Sequence, residues 1–382
     1  MSRLRTASST AVQATKRKRV EKVKIESSEE NEIEIKRKSS RPAIKTETAI
    51  ELNNEVTGVL SDIKIEIKQE PADIADKKSD LKYIPHIKVE IEKDTPPNIF
   101  PYIEKQHHDL PKAPKNWYKI YNEIVTMRSK ISTPVDTQGC ERMPNSINPN
   151  VRTRNPRIYR FQLLISLMLS SQTKDEVNYL AMKTMHEGLL ANGYKDGLCI
   201  EALLELTEKE LDDYICKVGF HNRKAGYIKR ACEMLRDNFQ SDIPSTIEDV
   251  VTLPGVGPKM GYLLLQNAWG INSGIGVDVH LHRLAQMWSW TSKNAKTPEH
   301  TRVELEDWLP PKYWADINPL LVGFGQTICV PRAPNCDICT LATTGLCKAS
   351  KKSLLKTPIT DERLKKLNKQ RGDLSKLIAE FV

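Results

Sequence analysis

The chain has 382 residues, 58 Lys and Arg against 49 Asp and Glu, and a formal net charge of +9. That length supports one or two domains with real cores, and that charge favours a polyanionic partner. No apolar run approaches the roughly 20 residues of a membrane span, and the basic N-terminus lacks the apolar stretch of a secretory signal, so a soluble, non-secreted protein is expected.

Residues 1–110 hold 21 basic against 20 acidic residues, so the excess positive charge belongs to residues 111–382. The first Trp is Trp117, the first Cys is Cys140, and Tyr83, Phe100 and Tyr102 are the only aromatic residues before them. Such a segment is too poor in core formers to fold, and a disordered tail over 1–110 is expected. Within it "TKRKRVEK" at 15–22 and "KRK" at 36–38 read as a nuclear signal. The first 20 residues lack acids and include Arg3, Arg5 and several Ser and Thr, as a mitochondrial transit peptide would. Dual targeting follows as an expectation, with the nucleus the firmer half. The tail also repeats "VKIE", "IKTE", "IKIE", "IKQE" and "IKVE". These place Lys24, Lys45, Lys64, Lys68 and Lys88 in a pattern resembling the acceptor sequence for the modifier SUMO. A composition rich in Ile, Lys and Glu, or a stray strand former, is the plainer reading.

From Trp117 the chain reads as helix after helix, without convincing period-two strands, which makes the fold class all-α. "IYRFQLLISLMLSS" at 158–171 is apolar nearly all round and predicts a helix buried at the centre of a bundle. Thr207 with Glu210, and Ser245 with Glu248, have capping-box spacing and mark helix starts at Glu208 and Thr246. Further helices are expected over 223–238, 298–309 and 319–328, the last with a proline in its first turn. "TLPGVGPKMG" at 252–261 joins a short helix to one opening at Pro258, forming a helix-hairpin-helix. Gly255 and Gly257 let the backbone turn and approach a ligand, and the second helix offers free N–H groups and a positive dipole end, a phosphate site that reads no sequence. Lys259 is then either one more phosphate contact or a nucleophile, and an unperturbed lysine is neutral in only about one molecule in 2,500 at pH 7, so a nucleophilic role requires a lowered pKa. Asp278 precedes a helix beginning near His280, where it is either a cap or a carboxylate facing the hairpin. Cys329, Cys336, Cys339 and Cys347 have spacing C-x6-C-x2-C-x7-C. Four such cysteines suit a metal site, a 4Fe-4S cluster included, although the spacing departs from the paired C-x2-C of common zinc sites. Cys140, Cys199, Cys216 and Cys232 fall outside it.

Together "LMLSSQTKD" (167–175), "VGFHNRKA" (218–225), "LPGVGPKM" (253–260), "VDVH" (277–280) and the four cysteines resemble endonuclease III, in its eukaryotic form, within the helix-hairpin-helix glycosylase superfamily. The resemblance covers roughly 115–350. It implies a six-helix barrel over 155–275 beside an iron-sulfur domain built from 111–154 and 276–350, with double-stranded DNA crossing between them and the chain acting as a monomer. It implies Lys259 as the Schiff-base lysine, Asp278 as the catalytic aspartate and the four cysteines as ligands of a 4Fe-4S cluster. Gln172 would fill the gap left by a flipped base, Phe220 or His221 would lie in a second wedge loop, and Gly255, Gly257 and His280 complete the DNA-contacting set. The activity implied is removal of oxidised pyrimidines such as thymine glycol, followed by cleavage of the abasic site. An adenine-removing glycosylase of the same superfamily, or a non-catalytic DNA-binding protein with zinc in the cysteine site, are the competing readings. Lys259, and the lack of a further recognition domain after the cysteines, count against the first; the pairing of Lys259 with Asp278 counts against the second. Many relatives place five residues between the last two cysteines where this chain has seven, so a longer loop is expected there; between Cys329 and Cys336 only Arg332 is basic, so that loop should add little phosphate binding beyond Arg332. Residues 351–382 repeat Leu364, Leu367, Leu374, Leu377, Ile378 and Phe381 at helical spacing among lysines, which predicts a basic amphipathic helix that either packs on the cluster domain or binds a partner.

Overall fold

The computed structural model describes residues 99–382, so the targeting signals and the five tail lysines lie outside the described residues. The described residues form helices and turns, with one isolated bridge, Ser132 to Asp373, as the only strand-like pairing among them. The helices that matter here are α1 (Trp117–Arg128), α2 (Pro156–Ser170), α3 (Asp175–Ala191), α4 (Glu208–Ile215), α5 (His221–Asn238), α6 (Ile247–Val250), α7 (Pro258–Trp269), α8 (Val279–Met287), α9 (Pro298–Glu306), α10 (Trp314–Thr327), α11 (Asp361–Asn368) and α12 (Ser375–Ile378).

They surround two hydrophobic cores. One gathers buried residues from Met143 to Leu265, with α2 at its centre: Phe161, Leu163, Leu164, Ile165, Leu167, Met168 and Leu169 are all buried. The other joins two distant stretches, Phe100–Ile131 and Ile275–Ile378. Met143 and Val151, expected beside the cysteines, pack instead into the first core. Burial of this apolar area, at about 25 cal/mol per Å², is what closes the chain into two lobes.

Local capping decides where elements start. Thr207 and Glu210 make the reciprocal capping box at α4. At α6 the cap lies one residue later than the sequence suggested: Thr246 Oγ1 accepts from Asp249 N at 3.2 Å. Helix α10 begins at Trp314 and carries Pro319 inside it. The 3-10 turn Pro311–Tyr313 leads into it, and Trp314 Nε1 donates to Leu309 O at 2.7 Å.

Two expectations about the chain ends are corrected. Phe100 and Ile103 are buried in the second core, and the Arg128 guanidinium lies over the Phe100 ring, so the disorder expected over 1–110 does not hold from Phe100 onward. Residues 351–382 form not one helix but a turn at Lys352–Leu355 followed by α11 and α12. The break falls at Gly372, with φ +87°, where a Cβ would stand 2.3 Å from Ser132 O. Leu367, Leu374, Leu377 and Ile378 are buried in the second core, so this extension packs on the cysteine-bearing lobe.

The connector between the lobes is pinned by a buried ion pair. Arg128 Nη1 and Nη2 donate to Asp136 at 2.9 and 2.6 Å, and Asp136 also accepts from Thr133 N at 2.8 Å. Both side chains are fully buried, and Gly323 makes the room: a Cβ there would come within 2.5 Å of the guanidinium carbon.

Candidate functional site

The hairpin supplies the first part of the site. Gly255 has φ +81° and supports the Tyr227 ring, which a Cβ would approach to 2.9 Å. Gly257, the N-cap of α7, has an ordinary φ of −103° and open space where its side chain would be. Gly255 is thus needed by the fold, whereas no neighbouring atom requires a glycine at 257. Pro258 occupies the first position of α7 and Lys259 the second, half-buried, at the positive end of the helix dipole.

Asp278 serves as the N-cap of α8: Oδ1 accepts from Leu281 N at 2.8 Å, leaving Oδ2 for other work. The cap and the facing carboxylate are therefore compatible, because a carboxylate has two oxygens. His280 is the second residue of α8. Burial holds its imidazole below the usual value, Asp278 opposes that effect, and Lys259 adds to it. Its Nδ1 is buried with no hydrogen-bond partner among the described residues, packed where a Cβ on Gly325 would lie 2.6 Å away. The charge of Lys259 is also felt by Cys140 and by Asp175. Asp175, in the first turn of α3, has its carboxyl raised by burial, with Arg371 and Gln326 opposing.

Gln172 and Phe220 lie in two loops near the hairpin. Both are non-glycine residues in the left-handed region, with φ 51° and 59°, and both are exposed. His221 is not equivalent to Phe220: its Nδ1 lies 2.6 Å from Asp212 Oδ1, which ties the ring back. Gln172, Phe220, Tyr227 and Gly255 line one pocket of about 240 Å³, so the wedge candidates and the hairpin turn share a surface.

Cys329, Cys336, Cys339 and Cys347 line a single cavity of about 250 Å³ together with Arg283, Trp288 and Phe324. Among the described residues no three His, Cys, Asp or Glu side chains are set for one metal ion. Burial raises the Cys339 thiol to about 12, while the backbone N–H groups of Ala342 and Leu341 favour the thiolate. Arg283 Nη2 donates to Cys329 O at 2.6 Å, and Lys351 N lies 3.4 Å from Cys336 Sγ. The long Cys339–Cys347 segment is absorbed as a helical turn, Thr340–Thr343, with Leu341 buried and Cys347 N donating to Leu341 O at 2.8 Å. Arg332 is exposed in the first loop.

Several contributors had no sequence signal strong enough to single them out. Arg363, on α11, makes a bidentate pair with Asp337 at 2.6 and 2.8 Å and also donates to Asn335 at 2.8 Å, gripping the loop between the cysteines. Lys224 and Arg371 hold the segments around Gln172 and Asp175. Lysines and arginines are so frequent in this chain that their spacing alone marks none of them.

Residues 165–311, which span the hairpin lysine and the capping aspartate, match the family model described as HhH-GPD superfamily base excision DNA repair protein. The chain is 45% identical over 261 residues to the Endonuclease III homolog of Schizosaccharomyces pombe, covering 68% of this chain and 70% of that one. It is 43% identical over 237 residues to Endonuclease III-like protein 1 of Mus musculus, covering 62% and 74%. With Endonuclease III homolog 1, chloroplastic, of Arabidopsis thaliana the figures are 39% over 263 residues, covering 68% and 64%. The chain belongs to the endonuclease III family of this superfamily. A solved structure titled "Structure of a Trapped Endonuclease III-DNA Covalent Intermediate: Estranged-Adenine Complex" aligns with TM-score 0.45 and 24% identity over 58% of this chain and 99% of that one.

Proposed function

We propose that this chain excises oxidised pyrimidines such as thymine glycol from duplex DNA and cleaves the abasic site through a Schiff base on Lys259. The observation that carries this reading is that Lys259 stands half-buried in the first turn of α7, at the hairpin, while Asp278 caps α8 through one carboxylate oxygen only. The damaged nucleotide leaves the stack, which is least costly for a base that already stacks poorly. The neutral Lys259 amine attacks C1′, the C1′–N bond breaks, and the base departs with the bonding pair. Asp278 Oδ2 faces the cationic character that develops at the sugar. The Lys259 nitrogen then gives up a proton, the C1′–O4′ bond opens with O4′ taking one up, and the resulting protonated imine acidifies the C2′ proton, whose loss forms the C2′=C3′ bond and expels the 3′ phosphate. Gly255, Gly257 and the N–H groups of α7 hold backbone phosphates, and Gln172 and Phe220 fill the vacated space.

The test is borohydride trapping on a duplex carrying thymine glycol or an abasic site. The native chain should give a covalent complex and Lys259→Ala none; full trapping by the variant overturns the assignment.

A 4Fe-4S cluster on Cys329, Cys336, Cys339 and Cys347 belongs to the same reading. Four thiols around one cavity, with no set of donors converging on a single ion, suit a multi-iron group better than zinc. Bound, the cluster supplies a crosslink that fixes the loop and no bond-breaking chemistry.

The tail motifs support nuclear entry, with a mitochondrial share, and a relative named chloroplastic accords with organellar forms in this family. A fluorescent fusion of residues 1–50 that stays cytosolic overturns both destinations. SUMO conjugation at Lys24, Lys45, Lys64, Lys68 and Lys88 would speed product release or recruit the next repair factor. It fails if changing all five to Arg leaves labelling by the conjugating enzymes unaltered.

A further inference from the structure

Lys224 is a buried lysine that the mechanism above does not use. It sits in the first turns of α5, 6% exposed, and no carboxylate pairs with it among the described residues. Its Nζ donates to Leu169 O at 2.6 Å, Ser171 O at 2.7 Å and Thr173 Oγ1 at 3.2 Å. Burying a long cationic side chain costs rotamer freedom and solvation. Burial pushes this amine down to about 8. Such a residue is retained for what it holds.

What it holds is the loop that carries Gln172. Ser171 and Thr173 flank Gln172, and the Lys224 amine grips both flanks as well as the last turn of α2. The neighbouring loop is fastened to the same point: Gly219 N donates to Thr173 Oγ1 at 3.1 Å, and a Cβ on Gly219 would stand 2.6 Å from Gln172 O. Thr173 Oγ1 thus takes one hydrogen bond from each side. The residues beyond these contacts, Gln172 and Phe220, are both in left-handed conformations, each of which costs about 1 kcal/mol or more and persists only where the surroundings enforce it.

We propose that Lys224 is a positioning residue that fastens the Gln172 loop to the Phe220 loop, so that the two side chains enter the duplex as one rigid wedge. The inference rests on the reading of Gln172 and Phe220 as the residues that enter DNA. Unstacking a base costs a few kcal/mol, and a loop that yields under that load cannot transmit it. The lysine therefore matters where a stack must be opened. It does not matter for imine formation at an abasic site in a single strand, where nothing is stacked against the enzyme.

The experiment compares the native chain with Lys224→Met, Thr173→Val and the double variant Gln172→Ala/Phe220→Ala. Two quantities are read: single-turnover excision of thymine glycol from a duplex, and borohydride trapping on a single-stranded oligonucleotide carrying an abasic site. Lys224→Met should lose about 10- to 100-fold on the duplex and trap on the single strand like the native chain. Thr173→Val, which keeps the lysine and removes the shared acceptor, should lose duplex excision in the same direction by less; it decides the matter if Lys224→Met does not fold. Native duplex rates for Lys224→Met and Thr173→Val, with the double variant impaired, overturn the role of Lys224. Equal losses on both substrates overturn it as well, since they reveal a general defect. An unimpaired double variant overturns the wedge reading itself.

Discussion

Arg371, from the C-terminal extension, reaches the first turn of α3: its guanidinium lies 3.7 Å from Asp175 and 2.9 Å from Glu176. Eight residues earlier Arg363 grips Asp337 between the cysteines. The extension is therefore a strap from the cysteine loop to the helix that follows Gln172, with its own apolar side chains sunk in the second core. The two kinds of contact should differ in weight. Leu377→Ala removes a fully buried side chain and should cost about 2–5 kcal/mol. Arg371→Ala breaks an ion pair whose arginine is 41% exposed and should cost less than about 1 kcal/mol. Urea unfolding of both variants checks the ranking, and near-equal losses would contradict it.

Asp278 combines a cap with a proposed chemical role, and substitutions separate them. Asn caps a helix as well as Asp does, so Asp278→Asn should keep α8 and native stability while losing most base excision, because an amide cannot face a cation as a carboxylate does. Asp278→Ala should lose the same activity and about 1 kcal/mol of stability besides. Excision rates and thermal unfolding of the pair provide the check; native turnover by the Asn variant would remove Asp278 from the chemistry.

Much of this was legible because capping and turn chemistry are local. Thr207 with Glu210, the "LPGVG" turn and Asp278 ahead of α8 each declare themselves within four residues. The misses share a different cause. Ser245/Glu248 and Thr246/Asp249 offer the same cap chemistry in overlapping registers, and the choice between them belongs to the chain before it, where Trp269 Nε1 donates to Pro244 O. The leucines of 364–378 repeat at helical spacing, yet Gly372 must bend the chain to meet Ser132, more than two hundred residues away in sequence. Phe100 and Ile103 looked like parts of a tail because their partners, among them Arg128, are contributed by other elements. The site followed the same rule: Lys259 and Asp278 lie in recognisable motifs, Arg363 and Arg371 act through contacts that no spacing encodes, and Lys224 lies inside "VGFHNRKA" but holds partners 51 to 55 residues away that the motif does not name.

The cysteine cavity makes a prediction about metal. Purified from cells able to assemble clusters, the protein should be brown with about four irons per chain. Cys339→Ser should lower the iron content and loosen the segment from Cys329 to Cys347, read as earlier protease cleavage there. Stoichiometric zinc without iron would overturn the cluster.

Glu141 lies in the connector between the lobes, half-buried, with its carboxyl raised to about 7 by burial; Arg142 opposes the shift, and Asp136 and Asp175 reinforce it. An acid whose folded value exceeds its unfolded value of 4.5 binds more protons folded than unfolded between those limits. Its contribution to stability is therefore greatest at low pH and falls as pH rises from about 4.5 to about 7. Glu141→Gln, neutral throughout, should gain stability relative to the native chain across that window and hold a constant advantage above it. Urea midpoints of the two proteins measured from pH 4.5 to 8 test the sign; a difference that shrinks with rising pH would refute it.

The two hairpin glycines should respond oppositely to the same added methyl group. Gly255 has φ +81° and the Tyr227 ring 2.9 Å from a would-be Cβ, so Gly255→Ala strains backbone and packing and should cost about 1–3 kcal/mol. Gly257 has an ordinary φ and open space, so Gly257→Ala should cost no more than about 1 kcal/mol, the difference between the two residues at an N-cap. Its methyl group would instead stand where a phosphate must approach the N–H groups of α7, and affinity for undamaged duplex should fall about equally on every sequence. Fluorescence anisotropy on two unrelated duplexes, beside thermal unfolding of both variants, reads the contrast. Native duplex affinity in a well-folded Gly257→Ala protein would mean that the phosphate does not pass over this turn, and the hairpin would then serve only to aim Lys259.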